Sequence, residues 1–193
     1  MNKLVTTALV ATASCAIMTG CGGNTQAGAN TAQAEAEKTV MSFVDAYRSG
    51  DFEKAGKLLF LDTADDSQSW AEMQMAAKML KDGTADENLK QIAPTILWLA
   101  WDLEPIHGGK IKSLLQSYNP DEETKAEMAV KDVTDMRAVP LKATLKPEYA
   151  KQLGERAKEI KPALVIAMGV KHKGVWKTGV VANPVEGVDP DNL

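Results

Sequence analysis

Both cysteines of this 193-residue chain, Cys15 and Cys21, fall within its first 21 residues, so everything after them folds without a thiol. No disulfide can staple the body, no thiolate can ligate a metal there, and no cysteine can serve as its nucleophile. A body of about 170 residues must then be held by buried apolar surface, and it is long enough for one well-covered core. Hydrophobic residues make up 45% of the chain, which meets that need.

The leader reads as an export signal. Lys3 supplies the N-terminal cation, Leu4 to Ala11 the apolar run, and small residues follow before Cys21. The run is too short and too rich in Thr and Ala for a permanent span, which needs about 20 predominantly apolar residues. Met18-Thr19-Gly20-Cys21 resembles the lipobox of bacterial lipoproteins, with Met18 where Leu is usual. The resemblance implies that residues 1–20 are a lipoprotein signal peptide. It also implies that Cys21 is the lipid-attachment residue, carrying a thioether-linked diacylglycerol with palmitate-type chains. Two other readings stand beside it: cutting at Cys15, which leaves Ala16-Ile17-Met18 in the mature arm, and ordinary signal-peptidase cleavage near Cys21. Gly22 rather than Asp follows the cysteine, a pattern that implies the outer membrane where the host has two. Two or more acyl chains make such anchoring stable, each buried methylene contributing about 0.8 kcal/mol.

Residues 21–34 read as a lipidated flexible tether, because Gly22 to Gln33 carries no charge, no large apolar residue and no period. As a random coil of about a dozen residues it would span on the order of 20 Å. The folded domain is expected over residues 35–182, and residues 183–193, with Pro184, Gly187 and Pro190, read as a disordered tail.

Val40, Phe43, Val44 and Tyr47 stand at i, i+3, i+4 and i+7 and predict a helix ended by Gly50, with Asp51 capping a second that turns Phe52, Ala55 and Leu59 inward. Ser69 and Glu72 form a capping-box pattern for a third, carrying Trp70, Met73, Ala77 and Leu80 on one face. Thr84 to Glu87 opens a fourth, interrupted at Pro94. Residues 95–103 are assigned to helix, although a short apolar run also suits a buried strand. Alternation then predicts strands at 111–118, around Ala126, Met128 and Val130, and through Val139, Leu141, Ala143 and Leu145, where Pro140 suits an edge or a bulge. Pro147 opens a helix with Ala150, Leu153, Ala157 and Ile160 as its buried stripe, and residues 163–170 and 175–181 form a hairpin around His172-Lys173-Gly174. Helices first and strands later, in one domain, predict an α+β fold with N-terminal helices packed on a mostly antiparallel sheet.

Phe43-Val44-Asp45-Ala46-Tyr47-Arg48-Ser49-Gly50-Asp51-Phe52-Glu53-Lys54-Ala55 resembles the opening helix pair of small bacterial lipoproteins with the cystatin-like cone of the nuclear-transport-factor-2-like superfamily. Gly108 to Ser113 and Gly174-Val175-Trp176-Lys177 resemble two further motifs of that group, with Lys110 inserted after the glycines of the first. The resemblance implies a cystatin-like curved sheet with a space between helices and sheet. Enzymes of the superfamily place acids, tyrosines or histidines there. The helix expected around 147–161 departs from that pattern, in which a simple hairpin would stand.

Residues 35–109 hold 7 basic and 14 acidic side chains, and residues 110–193 hold 14 and 12. With an acidic helical half and no basic-aromatic cluster, nucleic acid is not an expected partner. Asp62, Asp65 and Asp66 could ligate a divalent cation, but the rest of a calcium-loop pattern is absent, and helix capping accounts better for them. Trp98 and Trp101 flank Asp102, the candidate catalytic acid or base in a ring-lined pocket; the alternative is an aromatic core with Asp102 near a helix end. His107 and His172 lie in turns, and Met73, Met75 and Met79 line either an apolar cavity or the core. No phosphate loop, Ser/His/Asp set or metal quartet occurs, so no metal or cofactor is expected.

Cys21 is therefore the one chemically specific site. The favoured function is a non-catalytic, membrane-anchored module of the bacterial envelope that binds a protein, a glycan or a small apolar ligand. The alternatives are a cone-pocket enzyme of isomerase, dehydratase or hydrolase type using Asp102, and a structural or assembly lipoprotein acting through its helical face.

Overall fold

A computed structural model describes residues 25–116, 118, 120–179 and 182–193. The Met18 to Cys21 box and the rest of the leader lie outside the described residues. The architecture is α+β: eight α-helices among the described residues and a mixed, mostly antiparallel six-stranded sheet.

Helix α1, Thr25–Ser49, presents Ala36, Val40, Phe43, Val44 and Tyr47 as a fully buried stripe. It starts inside the segment read as a flexible tether. Ala32 already packs on the core, and Gln33 Nε2 donates to Ala138 O at 2.9 Å. Ala and Gln are good helix formers, and a helix nucleated by its packed half propagates backward through such residues. At the other end Gly50 takes φ +82°, Gly50 N donates to Tyr47 O and Asp51 N to Ala46 O, closing the helix with a Schellman pair. Asp51 then caps α2, Phe52–Leu58, through Lys54 N, and the chain enters β1, Leu59–Phe60.

Helix α3, Ala64–Lys81, begins before the expected Ser69 start. Its capping box is Thr63 with Asp66, and the acids of its first turn, Asp65 and Asp66, favour the positive helix end. Asp86 caps α4, Glu87–Ile92, and Pro94 converts the next turn to 3₁₀ over Ala93–Thr95. The expected helix over 95–103 is only half right. One turn, α5 at Leu97–Ala100, passes directly into β2, Trp101–Pro105.

Two expected strands are helices. In α6, Gly109–Gln116, Ile111, Leu114 and Leu115 face the sheet together with Tyr118, and their i, i+3, i+4, i+7 spacing outweighs the local alternation. Helix α7, Glu122–Val130, buries none of its residues fully: of the alternating Ala126, Met128 and Val130 only Met128 is half-buried, so the alternation marks no strand face; Asp121 caps it. The remaining elements are β3 (Val133–Leu145), α8 (Pro147–Leu153) with a 3₁₀ extension over Gly154–Glu159, β4 (Ala163–His172), β5 (Val175–Gly179) and β6 (Asn183–Val185).

The strand order is β1-β5-β4-β3-β2, with β1 parallel to β5 and the other pairs antiparallel, and β6 pairing the first half of β4. Lys173 and Gly174, at φ +49° and +79°, make the tight turn between β4 and β5. Pro140 is interior to the sheet, paired with Ile166 rather than at an edge. Its carbonyl accepts from Ile106 N just beyond β2, so its missing donor faces the end of that strand.

Leu103, Val139, Leu141, Ala143, Val165 and Ala167 pack beneath α1 and its neighbours. On the opposite face Ala138, Leu164 and Ile166 pack against α6 and the C-terminal segment. That segment is ordered, contrary to the sequence expectation. Val185, Val188 and Leu193 join the second core, Lys142 pairs with Asp191 at 2.5 Å, and Lys110 Nζ reaches Asn192 O at 3.0 Å. Three apolar anchors are enough to dock a Pro/Gly-rich tail.

Candidate functional site

The larger cavity, about 540 Å³, opens beside the start of β4. Leu97 and Trp101 form one wall, Ala143 and Val165 the sheet floor, and Leu153 and Ile160 the wall from α8 and its extension. Trp101 is fixed there by Nε1–H donating to Pro94 O at 2.8 Å. The stripe expected to be buried along 147–161 is only partly so: Ile160 remains 37% exposed. It is partly exposed because it borders the cavity rather than closed core. Gln91 and Thr95, the polar lining residues, are exposed and stand at the mouth. No carboxylate, imidazole or ammonium lines this space among the described residues.

Asp102 lies elsewhere. In β2 the side chains alternate, and Asp102 is exposed between half-buried Trp101 and buried Leu103. Trp98 belongs to the core, edge-on to Phe43 with ring centroids 5.3 Å apart. Trp98, Trp101 and Asp102, within five residues of sequence, are thus divided among core, cavity and surface. His107 is exposed, 3.7 Å from Glu37, and His172 packs edge-on against Phe60. Asp62 pairs with Lys131 at 2.5 Å, and Asp66 accepts from Thr63 N and Asp62 N, so two of the three acids weighed as cation ligands serve local structure. Met73 packs against the core, whereas Met75 is 63% exposed.

A second cavity of about 220 Å³ lies where the ends of α1 and α3 meet α8. Tyr47, Arg48, Lys81 and Tyr149 line it, over an apolar floor that includes Phe52 and Leu80. Arg48 donates through Nη2 to Trp101 O and sits 4.0 Å from Asp102 Oδ1. Its Nε is buried without a hydrogen-bond partner, and a donor so placed costs about 1–3 kcal/mol. Burial lowers the Arg48 pKa, against the pull of Asp102 and Asp45. Lys146, which donates to Leu99 O at 2.8 Å, is also lowered, first by burial and then by the Arg48 charge. Burial raises both phenols, Tyr47 with a further contribution from Tyr149 and Tyr149 with one from Glu148, so both are protonated donors at neutral pH and neither is a base. Tyr47 spends its proton on Met73 O at 2.7 Å.

Tyr47 carries the core spacing of α1, and no local sequence signal marks Arg48, Lys81 or Tyr149. They come from α1, α3 and α8, and no local motif announces their meeting. Comparison with known proteins finds no family model, no curated protein and no solved structure that matches this chain.

Proposed function

We propose that the domain is a non-catalytic binding module for a small apolar ligand, carried at the bacterial cell envelope by lipid on Cys21. The observation that supports the ligand class is the larger cavity, about 540 Å³ with walls of Leu97, Trp101, Leu153 and Ile160. Ligand sites are commonly about 300–1,000 Å³, mostly apolar, with a few polar groups that orient the occupant. Gln91 and Thr95 at the mouth supply neutral hydrogen-bonding groups, which suits an apolar body with an uncharged polar end. The absence of an ionisable group from the described lining gives a proton-transfer step no acid or base there, whereas binding needs neither.

N-phenyl-1-naphthylamine, a neutral apolar fluorophore, tests this. Its emission should rise saturably with the intact domain. Ala163→Phe, which places a ring at the cavity edge, should weaken that binding by about tenfold, as expected when an apolar contact surface of this kind is filled. No saturable binding, or equal binding by the variant with an unchanged far-UV spectrum, would sink the proposal.

A further inference from the structure

We propose that the smaller cavity is a second binding site, selective for a small monocarboxylate with an apolar body, recognised by Arg48, Lys81 and Tyr149. Its chemistry is unlike that of the larger cavity. Two cations and two phenols line about 220 Å³, and no acid does among the described residues. This is a cationic spot within the half of the chain that carries 7 basic and 14 acidic side chains over residues 35–109.

Local structure leaves donor capacity over. Arg48 spends Nη2 on Trp101 O and its unpartnered Nε is sealed from solvent, so what Arg48 offers the cavity is the charge of its guanidinium rather than that N–H. Lys81 Nζ makes one bond, to Ser49 O at 3.0 Å, out of three that an ammonium can donate. Tyr149 brings a protonated phenol to the same space. Asp102 only partly balances Arg48, at 4.0 Å and with its side chain 55% exposed. Lys146 feels the Arg48 charge as repulsion, which a bound anion would relieve.

The occupant's shape follows from the floor. Phe52, Leu80 and Leu99 offer apolar contact beneath the cations, which fits a ring or short chain bearing one carboxylate. A planar carboxylate matches a guanidinium and a phenol donor. Phosphate, with more charge and no apolar part, would leave the floor unused and demand more cations than line the space.

The test is a titration of the intact domain with sodium benzoate against sodium chloride of equal ionic strength, followed by amide shifts in ¹H–¹⁵N spectra. Saturable shifts should centre on Gly50, Lys81 and Tyr149, which border the cavity. Benzamide, the neutral counterpart, should bind at least about tenfold more weakly, since charge-assisted hydrogen bonds are at stake. Inorganic phosphate should fail to compete. Lys81→Met, at an exposed position that threatens no core, should weaken benzoate by about tenfold, and Tyr149→Phe by less. Arg48→Met should abolish binding if it folds, and Lys81→Met decides the matter if it does not. Absence of saturable shifts at these residues, equal affinity for benzamide, competition by phosphate, or unchanged binding by Lys81→Met would each overturn the proposal.

Discussion

One missing methyl group sets how closely helix and sheet approach. A Cβ built at Gly169 of β4 would lie 2.6 Å from Ala36 Cβ and 3.2 Å from Ala36 Cα, so α1 can rest on the strand only because position 169 is bare. In an unconstrained strand, Gly→Ala would stabilise by about 0.4–1 kcal/mol through the unfolded chain. Here the contact is fully buried on the helix side, where Ala36 is 0% exposed, and the neighbour is backbone as well as side chain. Overpacking of this kind costs about 1–3 kcal/mol and outweighs the entropic gain. Gly169→Ala should therefore lower the urea midpoint, and Ala36→Gly added to it should recover part of the loss despite glycine's cost in a helix. A midpoint that rises in the single variant would mean that α1 lifts off the sheet without penalty.

Elements differ in how much of their stability is their own. Helix α7 buries no residue and depends on its cap, in which Asp121 Oδ1 accepts from Thr124 N at 2.8 Å. The Thr124 hydrogen bonds hold the Asp121 carboxyl below its ordinary value. A lowered folded-state value means that the cap's stabilisation is present above about pH 3.8 and is lost as pH falls through the lower, folded value. In acid, amide protection across 124–130 should fall ahead of that in β3 and β4, and Asp121→Asn should remove this acid dependence while keeping a cap. Protection that holds through the acid range, or an Asn variant with the same pH profile, would contradict it. The same contrast between local and tertiary control explains what could be read from sequence. The helix pair was legible from residue 35 onward in its buried stripe and in the Gly50-Asp51 punctuation, while its first turns over 25–34 carry no apolar period and read as a tether; the β4–β5 hairpin was legible in Lys173-Gly174, because each of these signals is complete within a few residues. Helix α6 was misread because its facing residues also alternate in part, and only the second core distinguishes the two patterns. The tail was misread because its composition hides three anchors. Neither cavity was legible. The larger draws residues from between Gln91 and Pro184, and its apolar side chains look like core until a gap is seen among them.

At the scale of the whole molecule, the beginning of α1 bears on how the domain would sit at a membrane. The helix starts at Thr25, so three residues, Gly22, Gly23 and Asn24, separate it from Cys21. Fully extended they reach about 10 Å, and the turns of α1 before Ala32 add about 10 Å of helical rise, so the reach matches that of a dozen-residue coil but half of it is helix. On the proposed reading of Cys21, the folded body is joined to the lipid by a short link and the leading turns of α1 rather than by a coil of a dozen residues. All of that attachment would rest on one sulfur, since Cys15 is the one other thiol and on the same reading would leave with the leader. Acyl chains contribute about 0.8 kcal/mol per buried methylene, and the body has no helix, among the described residues, long and apolar enough to cross a membrane in their place. Cys21→Ser should therefore move the protein from the membrane to the soluble fraction, or leave an uncut precursor, and should end incorporation of labelled fatty acid. Cys15→Ser should change neither. If label still enters the Cys21→Ser variant, or if Cys15→Ser is the substitution that abolishes it, the anchor is misplaced. The mature chain would then begin at Cys15 with Ala16-Ile17-Met18 in its arm, and six more residues would separate the lipid from α1.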